Sequence, residues 1–348
     1  MGEPELFYQN KLNELKNSLN QNVFTVGFVT DSHFDFGTWR KNAFLSLRNL
    51  NNIQSLSQHL DVLICGGDNV DSEQLSHKQK LDNLINYLSF FFIKSETDKF
   101  AIRGNHDQGG LINFNGEGKV LPDKVISDEE FKVHMKAKQT EFEEVRNDDS
   151  LYGYKDYPED KIRVIFVDSL DNPEILKNDG SLKYFAQWDY GYREKQLLWI
   201  AEEALYKCPE DYHIIMFSHI PLRNRTSDEL RNKRNFNLLI NVINSFVEKK
   251  VVSIESDIED FEVAKHTIDF SKRSESNFVG FVAGHDHKES IIDNGSFNTV
   301  VCDNALPDEE AFVNSYKEDA FTILQIDTKK RIFDLKGFGR ASNRTIQY

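Results

Sequence analysis

Apolar residues along this chain recur in two rhythms. Short runs at 23–30, 61–65, 98–102, 162–167, 214–218 and 278–283 read as strands, and Ile162 to Val167 is apolar enough to be central. Between them, apolar residues fall at helical spacing: Leu12, Leu15 and Leu19 within 5–19, then Leu47, Leu50 and Ile53 within a helix from Trp39 to about Gln58. Further helices are predicted near 73–93, from Asp128 to about Arg146, and from Arg193 to about Leu205 with Leu197, Leu198 and Ala201 facing inward. A last helix carries Phe236, Leu239, Ile243, Phe246 and Val247. The strand, helix, strand, helix, strand series over 23–102 predicts a sheet with helices on both faces and ligands gathered at strand ends. A short strand is expected at 151–155 and a polar loop at 170–192. Runs at 289–292, 297–302, 320–326 and 331–336 predict a second, mostly antiparallel set. Two excursions interrupt the pattern, at about 108–150 and 222–277. The second is far longer than a usual connection and begins with a charged run from Arg223 to Asn235, so it reads as a lid beside a site.

Composition adds bounds. With 348 residues, 39% hydrophobic and 28% charged, residues 1–348 read as one ordinary globular domain. The net charge is -15, and no cluster of Lys and Arg is long enough to follow a phosphate backbone, so duplex nucleic acid is not an expected partner. A small anionic substrate is compatible with that charge. No stretch approaches the roughly 20 apolar residues of a membrane span, and the N-terminus carries no apolar signal region. Cys65, Cys208 and Cys302 are widely separated and lack metal-site spacing, which fits a reducing compartment. A cytoplasmic protein that does not engage membranes is the expectation.

The chemistry sits where the apolar runs stop. Val26 to Thr30 ends in Asp31, Ser32, His33; Asp61 to Cys65 ends in Gly66, Gly67, Asp68; Lys99 to Ile102 ends in Arg103, Gly104, Asn105, His106, Asp107. Ile214 to Ser218 runs into His219, and Phe278 to Ala283 into Gly284, His285, Asp286, His287. An Asp at a central strand end can offer an oxygen to each of two ions, and Asp68 is the candidate bridge. Asp31, His33 and His287 would complete one ion; Asn105, His219 and His285 would complete the other. Mixed imidazole and carboxylate donors suit zinc, iron or manganese better than calcium or magnesium. Two such ions about 3.5–4 Å apart clamp a phosphate and activate a bridging water for in-line attack. In an extended segment Asp31 and His33, or His285 and His287, share a face, which leaves Asp286 pointing the other way. His106, one residue from Asn105, is a candidate acid or base.

In order, these blocks are D-x-H, G-D, G-N-H-D, H and G-H-x-H, and over residues 31–287 the chain resembles the calcineurin-like metallophosphoesterase superfamily. The resemblance implies a double β-sheet sandwich flanked by helices, a four-layer α/β/β/α arrangement within the α/β class. It also implies a dinuclear metal centre and hydrolysis of phosphoric esters. By motif it assigns Asp31, His33, Asp68, Asn105, His219, His285 and His287 as metal ligands, in agreement with the reading from the residues. It gives His106 a contact with the scissile phosphate or the protonation of the leaving oxygen. The protein-phosphatase branch supplies an Asp that orients this histidine, matched by Asp71, and an arginine that holds phosphate, matched by Arg103. That branch continues with Arg-Gly where this chain has Ser72 and Glu73. The missing arginine and the GHDH block look more like a small-molecule phosphodiesterase than a phosphoprotein phosphatase; a phosphomonoesterase is the alternative.

Asp71 has a competing reading as a helix N-cap, and Arg103 as the partner of a carboxylate. Asp168 also ends an apolar run but matches no ligand position and is expected in a turn or behind the site. His59, His77, His134, His213 and His266 have no ligand partner nearby in sequence and are expected to be structural. Trp188, Tyr190 and Tyr192 are candidates for the cleft wall.

Overall fold

The structure, a computed structural model, describes residues 3–36, 40–71, 75–110, 119–223, 232–307 and 310–348. The expected helix start at Trp39, the residues Ser72 and Glu73, and most of the charged run after Arg223 lie outside them. Helix α1 spans Leu6–Ser18, β1 Phe24–Val29, α2 Ser46–Gln54, β2 Val62–Cys65, α3 His77–Phe91 and β3 Asp98–Ala101. Then come α4 (Asp128–His134), β4 (Val145–Arg146), β5 (Gly153–Tyr157), β6 (Ile162–Phe166), β7 (Tyr190–Gly191), α5 (Glu194–Trp199) and β8 (His213–Phe217). The chain continues through β9 (Lys233–Arg234), α6 (Phe236–Val247), β10 (Val251–Ser256), β11 (Val263–Asp269), β12 (Asn277–Ala283), β13 (Ser290–Asp293) and β14 (Asn298–Val301). It closes with β15 (Ala320–Asp327), β16 (Ile332–Gly339) and β17 (Arg344–Gln347).

Two large mixed sheets result, one ordered β17-β16-β15-β1-β2-β3 and the other β13-β14-β12-β8-β6-β5-β4. Their facing sides form one apolar interior, where Val26, Phe28, Ile64 and Phe100 meet Val164, Phe166, Ile215 and Phe217. Because side chains alternate along a strand, Val29 and Leu63 point outward and are covered by α1, α2 and α3. Ile165, Ile214 and Met216 likewise point outward from the second sheet and are covered by α5 and α6. Strands buried on both faces read as continuous apolar runs, which is why they were legible. The expected sandwich of α/β/β/α layers is present, with helices on only the outer face of each sheet, because the inner faces are occupied by each other.

Several expectations are corrected. The second set of strands does not stay together: β13 and β14 extend the second sheet, while β15 pairs antiparallel with β1 in the first. The helix expected over Asp128 to Arg146 ends at His134, since Lys136, Thr140 and Glu143 adopt positive φ, which a helix cannot contain, and Val145–Arg146 is an edge strand. The helix after Arg193 passes from α to π form over Ile200–Tyr206, and Arg163 donates to the Glu203 and Ala204 carbonyls there while pairing with Asp156. From Phe236 onward the 222–277 excursion is a packed layer rather than a lid: α6 buries Phe236, Leu239, Ile243 and Phe246, and β10 and β11 form a hairpin against it. No helix among the described residues is long and apolar enough to cross a membrane.

A buried polar network joins α1 and α2 to the segment before β15. Tyr8 donates to Glu318 and lies beside Asn49, Arg48 pairs with Glu318, and Asn52 donates to Asp319 at 2.9 Å. Burial pushes the Asp319 carboxyl up to about 7, against the opposing effects of Asn52 and Arg340. The folded state therefore holds this proton more tightly than the unfolded chain. The stability it contributes is complete below the ordinary value of 3.8 and is lost as pH rises through about 7. Urea midpoints are expected to fall between pH 5 and pH 8, and Asp319→Asn to reduce that fall; an equal fall in the variant would place its source elsewhere.

Candidate metal centre

The C-terminal ends of β1, β2 and β3 in one sheet and of β8 and β12 in the other converge at one end of the sandwich. Each ends in a tight loop rather than continuing extended. Asp31, His33, Asp68, His285 and His287 all have positive φ, between 44° and 73°. Non-glycine residues seldom adopt this region, and where they do the surroundings must enforce it. Here the loops enforce one another: Asp31 and His33 donate backbone N–H groups to the Gly67 and Asp68 carbonyls at 2.9 Å each. The paired side chains thus face one cleft because of left-handed loop geometry, correcting the expectation that strand alternation would align them.

Each buried carboxylate is met by a backbone N–H and by imidazoles; at Asp31 the His285 N–H is shared between both oxygens, 2.9 Å from Oδ2 and 3.1 Å from Oδ1. Asp31 Oδ2 accepts from Thr30 Oγ1 at 2.8 Å and from the His285 N–H at 2.9 Å, while Oδ1 stands 3.3 Å from His287 Nε2 and 4.0 Å from His33 Nε2. Asp68 Oδ1 accepts from the His106 N–H at 2.7 Å. Its Oδ2 lies 3.2 Å from His219 Nε2, 3.7 Å from His33 Nε2 and 3.9 Å from His106 Nε2. Asn105 Oδ1 sits between His219 Nε2 at 3.0 Å and His285 Nδ1 at 2.8 Å.

Donor atoms thereby gather into one group of Asp31, His33, Asp68 and His287, a second of Asp68, His219 and His285, and a third of His33, Asp71 and His106, the atoms of each within 4.8 Å of one another. Asn105 joins the second group. The first two bring together the residues expected to act together, with Asp68 common to both, and the third was not expected. Asp68 Oδ1 is held by a backbone amide, which leaves Oδ2 facing the imidazoles of both groups. The residues fit metal chemistry: His33 Nε2 and His287 Nε2 face each other at 2.9 Å beside the Asp31 and Asp68 carboxylates. Their imidazole and carboxylate mixture is a donor set for zinc, iron or manganese.

Protonation follows the same geometry. Burial works to raise Asp31, but the hydrogen bond with His287 and the nearness of His219 outweigh it and bring the carboxyl to about 2. Asp68 lies well below the usual carboxylate range because His219 and His106 outweigh its burial. His219 rises to about 9, its burial overcome by Asp68, while burial and the neighbouring His219 push His285 down to about 3.

Behind these residues two supports matter. Asp107 accepts from the Gly104 N–H at 2.7 Å, from Asn69 Nδ2 at 2.9 Å and from the Val70 N–H at 2.9 Å, tying the loop of Asp68 to the loop of Asn105. Gly104 permits their approach, since a Cβ there would stand 2.0 Å from the Asp68 nitrogen. Asp286 pairs with Arg223, away from the cluster as expected.

Asp71 is buried beside His33 Nδ1 at 3.6 Å and His106 Nδ1 at 3.8 Å, and it forms an ion pair with Arg40. The N-cap of α3 is Ser76, so the capping alternative for Asp71 falls away. Arg103 is a correction. Its guanidinium is buried, bound to Asp168, to Asp128 and to the Leu170 carbonyl, and packed over Phe131, so the phosphate contact expected of it is replaced by a structural one. Asp168 accordingly lies behind the site. Tyr190 packs edge-on against His285 at 5.5 Å, Tyr192 is buried against Phe236, and Trp188 is partly exposed. None of His59, His77, His134, His213 and His266 joins the metal-type groups; His77 pairs with Glu130, His266 with Glu194 and His213 with Tyr348. Arg40 escaped the sequence reading, because nothing in a lone arginine between two motif blocks marks it.

A family model described as calcineurin-like phosphoesterase matches residues 24–289. No sequence among the curated proteins matches the chain. A solved structure of a dimetal phosphatase from Danio rerio resembles it with a TM-score of 0.58 at 16% identity, over 94% of this chain and 99% of that one. GAP50, described as the anchor in the inner membrane complex of Plasmodium, gives 0.45 at 12% identity, over 93% and 88%. At such identities the likeness concerns the fold.

Two substitutions test the geometry by metal analysis. Asp68→Asn removes the charge common to both groups and is expected to lose bound metal; retention of two ions would sink the shared role. Gly104→Ala drives a methyl group into the Asp68 backbone and is expected to lower metal content and thermal stability together, whereas an unchanged protein would show that these loops can part.

Proposed function

This chain belongs to the calcineurin-like phosphoesterase family, and on that premise we propose that it is a dinuclear-metal-dependent phosphoric ester hydrolase that prefers small anionic phosphodiesters. The observation that carries the reading is the pair of donor groups sharing Asp68, with His106 beside them. Asp31, His33, Asp68 and His287 would hold one ion, and Asp68, Asn105, His219 and His285 the other. Manganese, iron or zinc bound there would supply charge neutralisation at the phosphoryl group and a water acidic enough to act near neutral pH.

The chain's own residues do the rest. His106 is partly open, with its side chain 25% exposed against 0% for His33 and His219, and it belongs to neither of the two donor groups that share Asp68. Its Nε2 faces the cluster, and its Nδ1 faces Asp71. Placed between the cluster and Asp71, His106 is the group to protonate the departing alcohol oxygen as the P–O ester bond breaks and water supplies the new oxygen on phosphorus. Asp71 is then a positioning residue. General acids of this kind contribute about a hundredfold to ten-thousandfold.

The preference for diesters is supported by charge. A monoester dianion calls for more fixed cations than a diester monoanion, and Arg103 is bound to two carboxylates away from the cluster. The test is hydrolysis of bis-p-nitrophenyl phosphate beside p-nitrophenyl phosphate, on stripped protein resupplied with manganese, zinc or iron. Faster diester turnover is expected. A monoester preference would make the protein a phosphatase, and no turnover with any metal would leave a scaffold of the same fold. In the active protein, His106→Ala should reduce turnover at least tenfold with metal content unchanged; an undiminished rate would remove the acid role.

A further inference from the structure

The donor groups leave one cavity unused. It encloses about 280 Å³ between the segment leading into α4 and the loop at 172–184, and Gln108, two residues beyond His106, forms part of its wall. Val125 and Leu182 give it an apolar lining, and with Val120 and Phe185 they make a small cluster apart from the main interior. The loop is itself folded, since the Lys183 N–H donates to the Ile175 carbonyl at 2.8 Å and the Lys177 N–H to the Ser181 carbonyl at 2.7 Å. Leu176 lines the cavity yet is 55% exposed, so it stands at the mouth.

Two side-chain amides in the wall are half spent. Asn172 donates Nδ2 to the Asp189 carbonyl at 2.8 Å, and its buried Oδ1 has no partner among the described residues. Gln108 Oε1 accepts from the Ala186 N–H at 2.7 Å, and its Nε2 makes no hydrogen bond among the described residues. The backbone partners fix which end of each amide is which, so an acceptor and a donor are left over. A buried acceptor without a partner is costly, and it marks a place for a bound group or a water. The other polar groups are engaged: Ser127 with Glu130, Tyr184 with Asp260. Arg103 is the one basic residue among the described residues of the wall, and its three guanidinium nitrogens are held by Asp168, Asp128 and the Leu170 carbonyl. With Asp128 and Glu174 also in the wall, an anion finds no counter-charge there.

We propose that this cavity binds a small neutral molecule with an apolar body and a hydroxyl group, the hydroxyl donating to Asn172 Oδ1 and Gln108 Nε2 donating to a lone pair of the ligand. A hydroxyl both gives and accepts, so it suits the two unspent amide ends. An ether lacks the hydrogen that Asn172 needs, and a carboxylate brings a charge that the wall opposes. Such a mainly apolar recess with a few fixed polar groups is the usual form of a small-molecule site.

The probe is 2-naphthol, measured by calorimetry on the full chain beside 2-methoxynaphthalene and 2-naphthoate. Binding is read without turnover, so the assignment stands or falls apart from the hydrolase reading. The alcohol is expected to bind at least tenfold more tightly than its methyl ether or the carboxylate. Asn172→Leu should erase the preference for alcohol over ether while leaving the ether's own affinity nearly unchanged, and Gln108→Leu should weaken the alcohol more than the ether. Leu176→Trp, at an exposed position that folding tolerates, should weaken both by narrowing the mouth. No binding of 2-naphthol, equal affinity for alcohol and ether in the unaltered chain, or an affinity that none of the three substitutions changes would overturn the proposal and leave Asn172 Oδ1 to water alone.

Discussion

Two carboxylates, Asp31 and Asp68, are buried almost completely at the edge of an apolar interior, and much of the local structure follows from that. Burying an ionised carboxylate without partners costs several kcal/mol. Each is therefore met twice, by a backbone N–H and by imidazoles. Meeting both demands requires loops from different strands to approach within hydrogen-bonding distance. Hence the glycine at 104, the Asp107 clamp and the row of left-handed residues. The strain at those residues is sustained because the sheets beneath them are packed on both faces.

That dependence also explains what could be read from the chain and what could not. Strands with apolar residues on both faces leave an unmistakable run, and a polar side chain at the end of such a run has few places to go but the sheet's end. The two donor groups were legible for this reason, down to Asp68 as their common member. Their orientation was not, because the φ angles that turn Asp31 and His33 into one cleft depend on contacts with the loop at 67–69. Helix length after Asp128 was overread, since helical spacing does not register residues in the left-handed region. Arg103 was misread for a different cause: its neighbours in sequence belong to the site, but its side chain leaves the strand end in the other direction, towards Asp168. Arg40 shows the reverse, a residue with no motif brought to the centre by the fold.

The electrostatic layout separates tasks that the sequence places close together. Anionic side chains face inward at the donor groups, whereas Arg40, Asp71 and His106 form a polar wall beside them, and Arg223 with Asp286 closes another side. A chain with net charge -15 thus keeps a cation beside its donor groups without a basic surface. The Arg103 bridge stands outside that layout, holding α4 and the end of β6 to the third strand end.

The order of strands in the first sheet has a consequence for how the molecule comes into being. β1 lies between β2 and β15, so its antiparallel neighbour is supplied by residues 320–327, almost three hundred positions downstream. The donor groups likewise join residue 31 to residue 287. During synthesis the first strand leaves the ribosome with one edge open and its carboxylate unmatched, and it stays so until nearly the whole chain has emerged. Such long-range closure makes folding slow and leaves β1 exposed to mispairing meanwhile. Gathering the donor groups is therefore a late event, since residue 287 must be in place beside residue 31 before the first of them is complete.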